Sequence, residues 1–305
     1  MTISRRGFLK LAGLTGAAAA IGSPGQALAS AGNGEASGLL IDTTKCVGCR
    51  GCEIACSEQN GHQVEKAGDR SIFDQKRQTT TGHFTTVNRV DAPGKDGAQR
   101  YVKTQCMHCL EPACASACLA RALDKTPEGP VVYHPERCLG CRYCMMACPF
   151  EVPRFEYEKA VPTIQKCQMC HERPGGPACA EACPSGCLQF GKRADLLEIA
   201  KERIYQNPDK YLHHVYGEHE AGGTSVLYLA DVGFEKLGLK SPAKLGDRGY
   251  PELTSGVLGV LPFVMTLWPP LLMGIYTFAK GNEGGDGPPG PSDQKSAEHS
   301  EAKHD

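Results

Sequence analysis

The stretch CLGCRYCMMACP, Cys138 to Pro149, sets four cysteines at C-x2-C-x2-C-x3-C with a proline behind the last. Three thiols this close wrap a tight loop around one side of an iron–sulfur cube. The fourth points away from that loop and serves a second cube, and the proline ends the segment. Such a stretch therefore implies a partner stretch elsewhere in the chain.

Three partners exist. Cys46, Cys49, Cys52 and Cys56 repeat the spacing; Cys106, Cys109, Cys114 and Cys118 run C-x2-C-x4-C-x3-C; Cys167, Cys170, Cys179 and Cys183 run C-x2-C-x8-C-x3-C, with Pro184 behind. An internal repeat is the first thing to read in a chain. Four groups build four clusters and leave only Cys187 of the 17 cysteines, which reads as a small buried residue. The flanks repeat as well, IDTTKC before Cys46 resembling YHPERC before Cys138.

Rival uses of the cysteines fit less well. Structural zinc pairs two C-x2-C knuckles at intermediate spacing, and a third and fourth Cys so close suit a tetrahedral ion poorly. Disulfides between such near neighbours would be strained or redundant. Cys167-Gln-Met-Cys170-His171 matches a c-type haem attachment site. Giving those two thiols to haem would strand Cys179 and Cys183. His171 and His108 are then either surface residues or hydrogen-bond donors that tune a nearby cluster.

The bulk numbers agree with a stapled, loop-rich body. The chain has 305 residues with 36 Gly and 21 Pro, enough for one or two cored domains. With 33 Lys plus Arg against 34 Asp plus Glu, it offers no basic nucleic-acid surface. No acid–base pair, nucleophile or phosphate loop is legible, so a catalytic site is not expected.

The ends of the chain carry targeting signals. Ser4-Arg5-Arg6-Gly7-Phe8-Leu9-Lys10, an apolar run to Ile21 and Ala27-Leu28-Ala29 read as a twin-arginine export signal over 1–29. That route carries proteins folded and loaded with cofactors, which reconciles export with clusters built in a reducing cytoplasm. Val257 to Ala279 is predominantly apolar, and no charge falls between Glu252 and Lys280. A run of about 20 such residues spans a bilayer, so a membrane helix is expected over 251–280. Pro262, Pro269 and Pro270 are tolerated there if neighbours satisfy the freed carbonyls. The alternative is a buried hairpin broken at Trp268. A polar, disordered tail is expected over 281–305.

Between signal and helix lies the body, 30–250. Short apolar runs at Phe84–Val90, Tyr101–Lys103, Arg154–Tyr157 and Leu188–Phe190 predict strands, and Ala122-Leu123 with Val131–Tyr133 predicts a hairpin across a Pro-Glu-Gly turn. Leu196, Ile199, Ala200 and Ile204 predict a helix over Asp195–Gln206 with Asp195 as its cap. The insertion from Ser57 to Gln105 shows no chemistry of its own.

These groups, with KTQCMHCLEPAC (Lys103–Cys114), CRYCMMACPFEVPRFEY (Cys141–Tyr157) and VYGEHEAGGTSVLYL (Val215–Leu229), resemble the four-cluster ferredoxin-type subunits of membrane-bound respiratory oxidoreductases. The signal tilts the likeness toward hydrogenase-2-type [NiFe] hydrogenases; respiratory formate dehydrogenase β subunits share the cysteine groups and the C-terminal helix. Leu119, where many relatives have Pro, and the extra Cys187 depart from the pattern.

The resemblance implies an α+β fold of two ferredoxin-like [4Fe–4S] halves in pseudo-twofold relation, plus one transmembrane helix. It implies four ligand sets: Cys46, Cys49, Cys52 with Cys183; Cys106, Cys109, Cys114 with Cys148; Cys138, Cys141, Cys144 with Cys118; and Cys167, Cys170, Cys179 with Cys56. It implies four [4Fe–4S] clusters that pass electrons between a periplasmic catalytic subunit, of the [NiFe] hydrogenase type, and a polytopic quinone-binding membrane subunit. The alternative is the same service to a formate dehydrogenase or a molybdenum-enzyme reductase.

Overall fold

The computed structural model describes residues 36–64 and 68–282. The expected export signal, and the polar tail beyond Asn282, lie outside the described residues. The chain divides into a unit ending at Thr254 and a second beginning at Ser255.

The first unit is organised by a three-stranded sheet in the order β8-β1-β9, from β1 (Ser37–Asp42), β8 (Leu188–Lys192) and β9 (Val226–Leu229). β1 is antiparallel to β8 and parallel to β9. A central strand covered on both faces reads as a continuous apolar run, and Leu39-Leu40-Ile41 is fully buried. Alternate side chains take opposite faces. Leu40, Leu227 and Leu229 pack on Leu196 and Ala200 of α5 (Arg193–Gln206). Leu39, Ile41, Val226 and Tyr228 pack on the other face, toward Cys46, Cys52, Cys183 and Cys187. One face of the sheet thus rests on a helix and the other on the cysteine loops.

The remaining strands are hairpins. β2 (Thr86–Pro93) pairs with β3 (Gln99–Thr104), β4 (Leu123–Lys125) with β5 (Val131–Tyr133), and β6 (Arg154–Phe155) with β7 (Ile164–Gln165). Four short helices follow the cysteine loops: α1 (Gly51–Gln59), α2 (Ala113–Ser116), α3 (Tyr143–Ala147) and α4 (Ala178–Glu181). α1 packs against α4, and α2 against α3. Another short helix, α6 (Pro242–Leu245), adds Leu245 to the core.

Expected strands and helix are all present, with one correction. α5 begins at Arg193, two residues earlier than expected, and Lys192 is its cap residue. Asp195 lies inside the first turn, where its charge favours the positive end of the helix dipole instead of capping it.

A buried ion pair ties the β2–β3 hairpin to the end of β9. Arg100 donates from Nε and Nη2 to Asp231 at 2.7–3.1 Å, and the two side chains are 5% and 1% exposed. Burial opposes the charge on Asp231, but the Arg100 guanidinium outweighs it and holds the carboxyl below its ordinary 3.8. The stability it contributes is therefore complete above that pH and is lost only as pH falls through the lowered value. Removing Asp231 leaves the buried Arg100 guanidinium with only the exposed Asp96 at 2.7 Å, so Asp231→Ala should cost about 2–4 kcal/mol, toward the lower end for breaking a buried pair. A lower denaturant midpoint for loss of the body's circular dichroism measures it.

The second unit contains most of one long helix, α7 (Tyr250–Asn282). It runs unbroken through Pro262, Pro269 and Pro270, so there is no hairpin at Trp268. Proline removes one backbone donor per site. The Thr266 hydroxyl, at 2.9 Å from the Pro262 carbonyl and 3.1 Å from that of Phe263, bonds within the helix near these breaks. Gly259–Ala279, 21 residues, is long and apolar enough to cross a membrane, and its side chains are exposed.

Candidate metal centres

The cysteine loops owe their shape to left-handed residues. Gly48 (φ 67°) and Arg50 (φ 63°) recur as Gly140 (φ 68°) and Arg142 (φ 61°) at the same places in CVGCRGC and CLGCRYC. Alternating the hand of successive residues curls the backbone into a concave nest. At Gly48 a side chain has no room either, since a Cβ would sit 2.7 Å from the Tyr101 ring. Arginine in this conformation is uncommon and is held by its surroundings; Arg50 Nε donates to Glu53 at 2.7 Å.

Each helix then places one cysteine a turn beyond the loop. On α1, Cys52 and Cys56 are four residues apart and share a face, so one helix serves two cavities. Cys46, Cys49, Cys52 and Cys183 line one cavity, with Lys103 and Cys187. Cys56, Cys167, Cys170 and Cys179 line another, with Asn60 and Gln105. Cys118, Cys138, Cys141 and Cys144 line a third, with Leu119, Leu139 and Tyr133. Cys106, Cys114 and Cys148 are the cysteines that act electrostatically on Cys109. Each of these three cavities thus gathers three cysteines of one group and one of another.

The donor chemistry of these cavities fits iron–sulfur cubes. No Asp, Glu or His lines any of the three cavities. Among the described residues, no three Cys, His, Asp or Glu side chains are gathered tightly enough for a single ion; the thiols stand around a space instead. Backbone N–H groups already point at sulfur: Ala122 to Cys118 at 3.2 Å, Met169 to Cys167 at 3.3 Å and Gly140 to Cys138 at 3.4 Å. Such hydrogen bonds stabilise thiolate ligands and help set cluster potential. When bound, a cluster supplies a reversible one-electron store.

Burial governs the free thiols. It pushes Cys56 and Cys114 up to about 12 and Cys144 to about 11. These side chains bind as thiolates, so cluster insertion must displace their protons. Cys183 goes the other way, to about 5, chiefly through a hydrogen bond from Cys187. Cys187 is buried as expected. It also bonds to Cys46 as well as Cys183, which sequence reasoning missed because a lone cysteine carries no spacing signal.

The histidines separate. His171 is partly exposed and faces Glu172 at 3.6 Å, outside the cavity lined by Cys167 and Cys170. His108 is fully buried; its Nδ1 accepts the Val131 N–H at 2.9 Å, which leaves the proton on Nε2, and that atom has no protein partner.

The insertion, expected to be chemically silent, contributes to two cavities. Asn60 Nδ2 lies 3.7 Å from Cys56 Sγ. Lys103 and Gln105 arrive on and just after β3. Glu53 of α1 ties this segment down through Arg77 and the Val87 N–H.

The sets also lie in series. Cys52 and Cys179 share one packed side-chain cluster, Cys167 and Cys106 a second, and Cys114 and Cys144 a third. The order is first group, fourth, second, third. The most exposed cysteines, Cys49 and Cys141, belong to the two terminal sets.

Known proteins share this pattern. A 4Fe-4S dicluster domain matches residues 98–193. A Nitratidesulfovibrio vulgaris protein is 46% identical over 292 residues, covering 92% of this chain and 78% of its own. The hydrogenase-2 operon protein HybA of Escherichia coli is 33% identical over 293 residues, covering 85% and 88%. The iron–sulfur subunit of the nitrate-inducible formate dehydrogenase of Escherichia coli is 34% identical over 198 residues, covering 62% and 66%. The chain belongs to the HybA-like family of ferredoxin-type iron–sulfur proteins, and it is an electron-transfer subunit of a respiratory oxidoreductase complex that carries several [4Fe–4S] clusters.

Proposed function

We propose that the chain relays electrons over four [4Fe–4S] clusters, held by the four cysteine sets named above, and catalyses nothing by itself. The convergence on each of three cavities of three cysteines of one group and one of another, the cavity of Cys46 also lined by Cys187, with no Asp, Glu or His in the linings, carries this reading. The serial order of the sets supports a path from Cys49 at one end to Cys141 at the other. The two ferredoxin-like halves are related by a pseudo-twofold axis, an arrangement that the pairing of α1 with α4 and of α2 with α3 favours.

The domain limits follow: an export signal over 1–29, the cluster body over 30–250, a membrane helix over 251–280 and a polar tail over 281–305. The body faces the periplasm after twin-arginine export, and the helix anchors it. Its partners are a [NiFe] hydrogenase-type catalytic subunit and a polytopic quinone-reactive membrane subunit. The likeness to HybA over most of both chains favours this choice. The likeness to a formate dehydrogenase iron–sulfur subunit supports a second reading, service to that enzyme class.

Iron and acid-labile sulfide analysis of the intact chain tests the cofactor content. About sixteen of each is expected, four per cube. Zinc in place of iron, or a covalent haem spectrum, overturns it. The catalytic subunit that co-purifies decides between the two partner classes.

A further inference from the structure

Lys103 is 1% exposed, yet it forms no ion pair with Asp or Glu among the described residues. Its Nζ donates to the Thr85 hydroxyl at 2.7 Å and to Gln105 Oε1, both neutral. A buried ammonium without a counter-charge is costly, and an apolar side chain of similar volume would fill the space more cheaply. The position therefore calls for negative charge that the protein alone does not supply.

That charge can come from only one direction. Lys103 lines the cavity of Cys46, Cys49, Cys52 and Cys183. Gln105, which touches its ammonium, lines the cavity of Cys56, Cys167, Cys170 and Cys179. The strongest charge partners of Lys103 are Cys179, Cys52, Cys167 and Cys56, drawn from both cavities. One cation thus stands between two cluster sites. The cavity of Cys118, Cys138, Cys141 and Cys144 has no buried cation in its lining. At its rim, Arg142 is exposed and stands over the Phe155 and Tyr157 rings.

We propose that Lys103 is a potential-setting residue shared by two clusters, those of Cys46, Cys49, Cys52, Cys183 and of Cys56, Cys167, Cys170, Cys179, and that its fixed charge raises both reduction potentials together. A cluster with its four thiolates is an anion, and reduction adds one more negative charge. A neighbouring cation favours the reduced form, and in a buried site salt screens it little. The two potentials are thereby raised in step, while the cluster at Cys141 has beside it only the exposed Arg142, whose charge solvent screens.

This rests on the four-cluster reading, which iron and sulfide content tests separately from potentials. The measurement is a redox titration followed by electron paramagnetic resonance on the complex carrying wild type, Lys103→Met or Lys103→Arg. In Lys103→Met, two of four midpoints should fall, each by at least tenfold in the one-electron equilibrium, about 59 mV. In Lys103→Arg they should stay near wild type. Unchanged midpoints, a shift of only one, or an equal shift of all four overturns the proposal. If Lys103→Met fails to take up iron, Gln105→Glu decides. A carboxylate against the ammonium cancels its field without removing it, so both midpoints should fall. A fall confined to the cluster beside Gln105, or none, overturns the proposal.

Discussion

Replacing Cys183 with alanine should remove the cluster of Cys46, Cys49 and Cys52, more than 130 residues away in the chain, and spare the cluster of its own group. Cys183 lines the cavity of that first triplet, while Cys167, Cys170 and Cys179 share theirs with Cys56. Iron should drop by about four per chain, as cube stoichiometry requires. Cys49→Ala should delete the same spectral component, and Cys56→Ala a different one. Cys187→Ala is the control. Its thiol only hydrogen-bonds to Cys46 and Cys183, so all iron should stay and only that cluster's potential should move. Iron lost in Cys187→Ala, or a Cys183→Ala spectrum matching loss of the Cys167 group, would falsify the exchange of fourth ligands.

The second large effect concerns the helix. Deleting residues 253–305 should move the body from the membrane fraction to the soluble one. The span Gly259–Ala279 presents exposed Leu, Val, Phe and Ile along its length. Burying even a few such side chains is worth about 1.5–3 kcal/mol each, so its removal should cut membrane partition by orders of magnitude. The truncated body should retain its iron, because every cysteine lies in the first unit. Fractionation after a high-salt wash, with iron content, reads both outcomes. Retention in the membrane after the wash would assign anchoring to partner contacts.

Much of this was legible in the sequence for a physical reason. Cluster ligation demands short, fixed spacings, and those survive as text: the four groups, the hairpin after Cys118 and the helix near Asp195 could all be read locally. What escaped depends on three-dimensional neighbours. Lys103 sits in an ordinary amphipathic strand pattern, and nothing in KTQC says that its ammonium is sealed between two cavities. Cys187 carries no spacing. His108 and His171 look alike beside their C-x2-C pairs, and only burial distinguishes them. The choice of fourth ligands came from likeness to a family, since spacing alone says only that they are exchanged.

The central strand has a further consequence, for the order in which the molecule is made. β1 emerges among the first residues of the body, but its partners β8 and β9 lie about 150 and 190 residues later. Until they arrive, Leu39 to Ile41 has no sheet to join, and pairings this distant form slowly. Cys56 and Cys46 wait likewise for Cys167 and Cys183. The inner pair of sites, drawn from residues 106–148, can be completed while the outer pair is still open. A chain that lengthens from its N-terminus therefore has the residues of the middle sites in hand before β8 and β9 exist to close onto β1, and that long-range closure costs the most loop entropy.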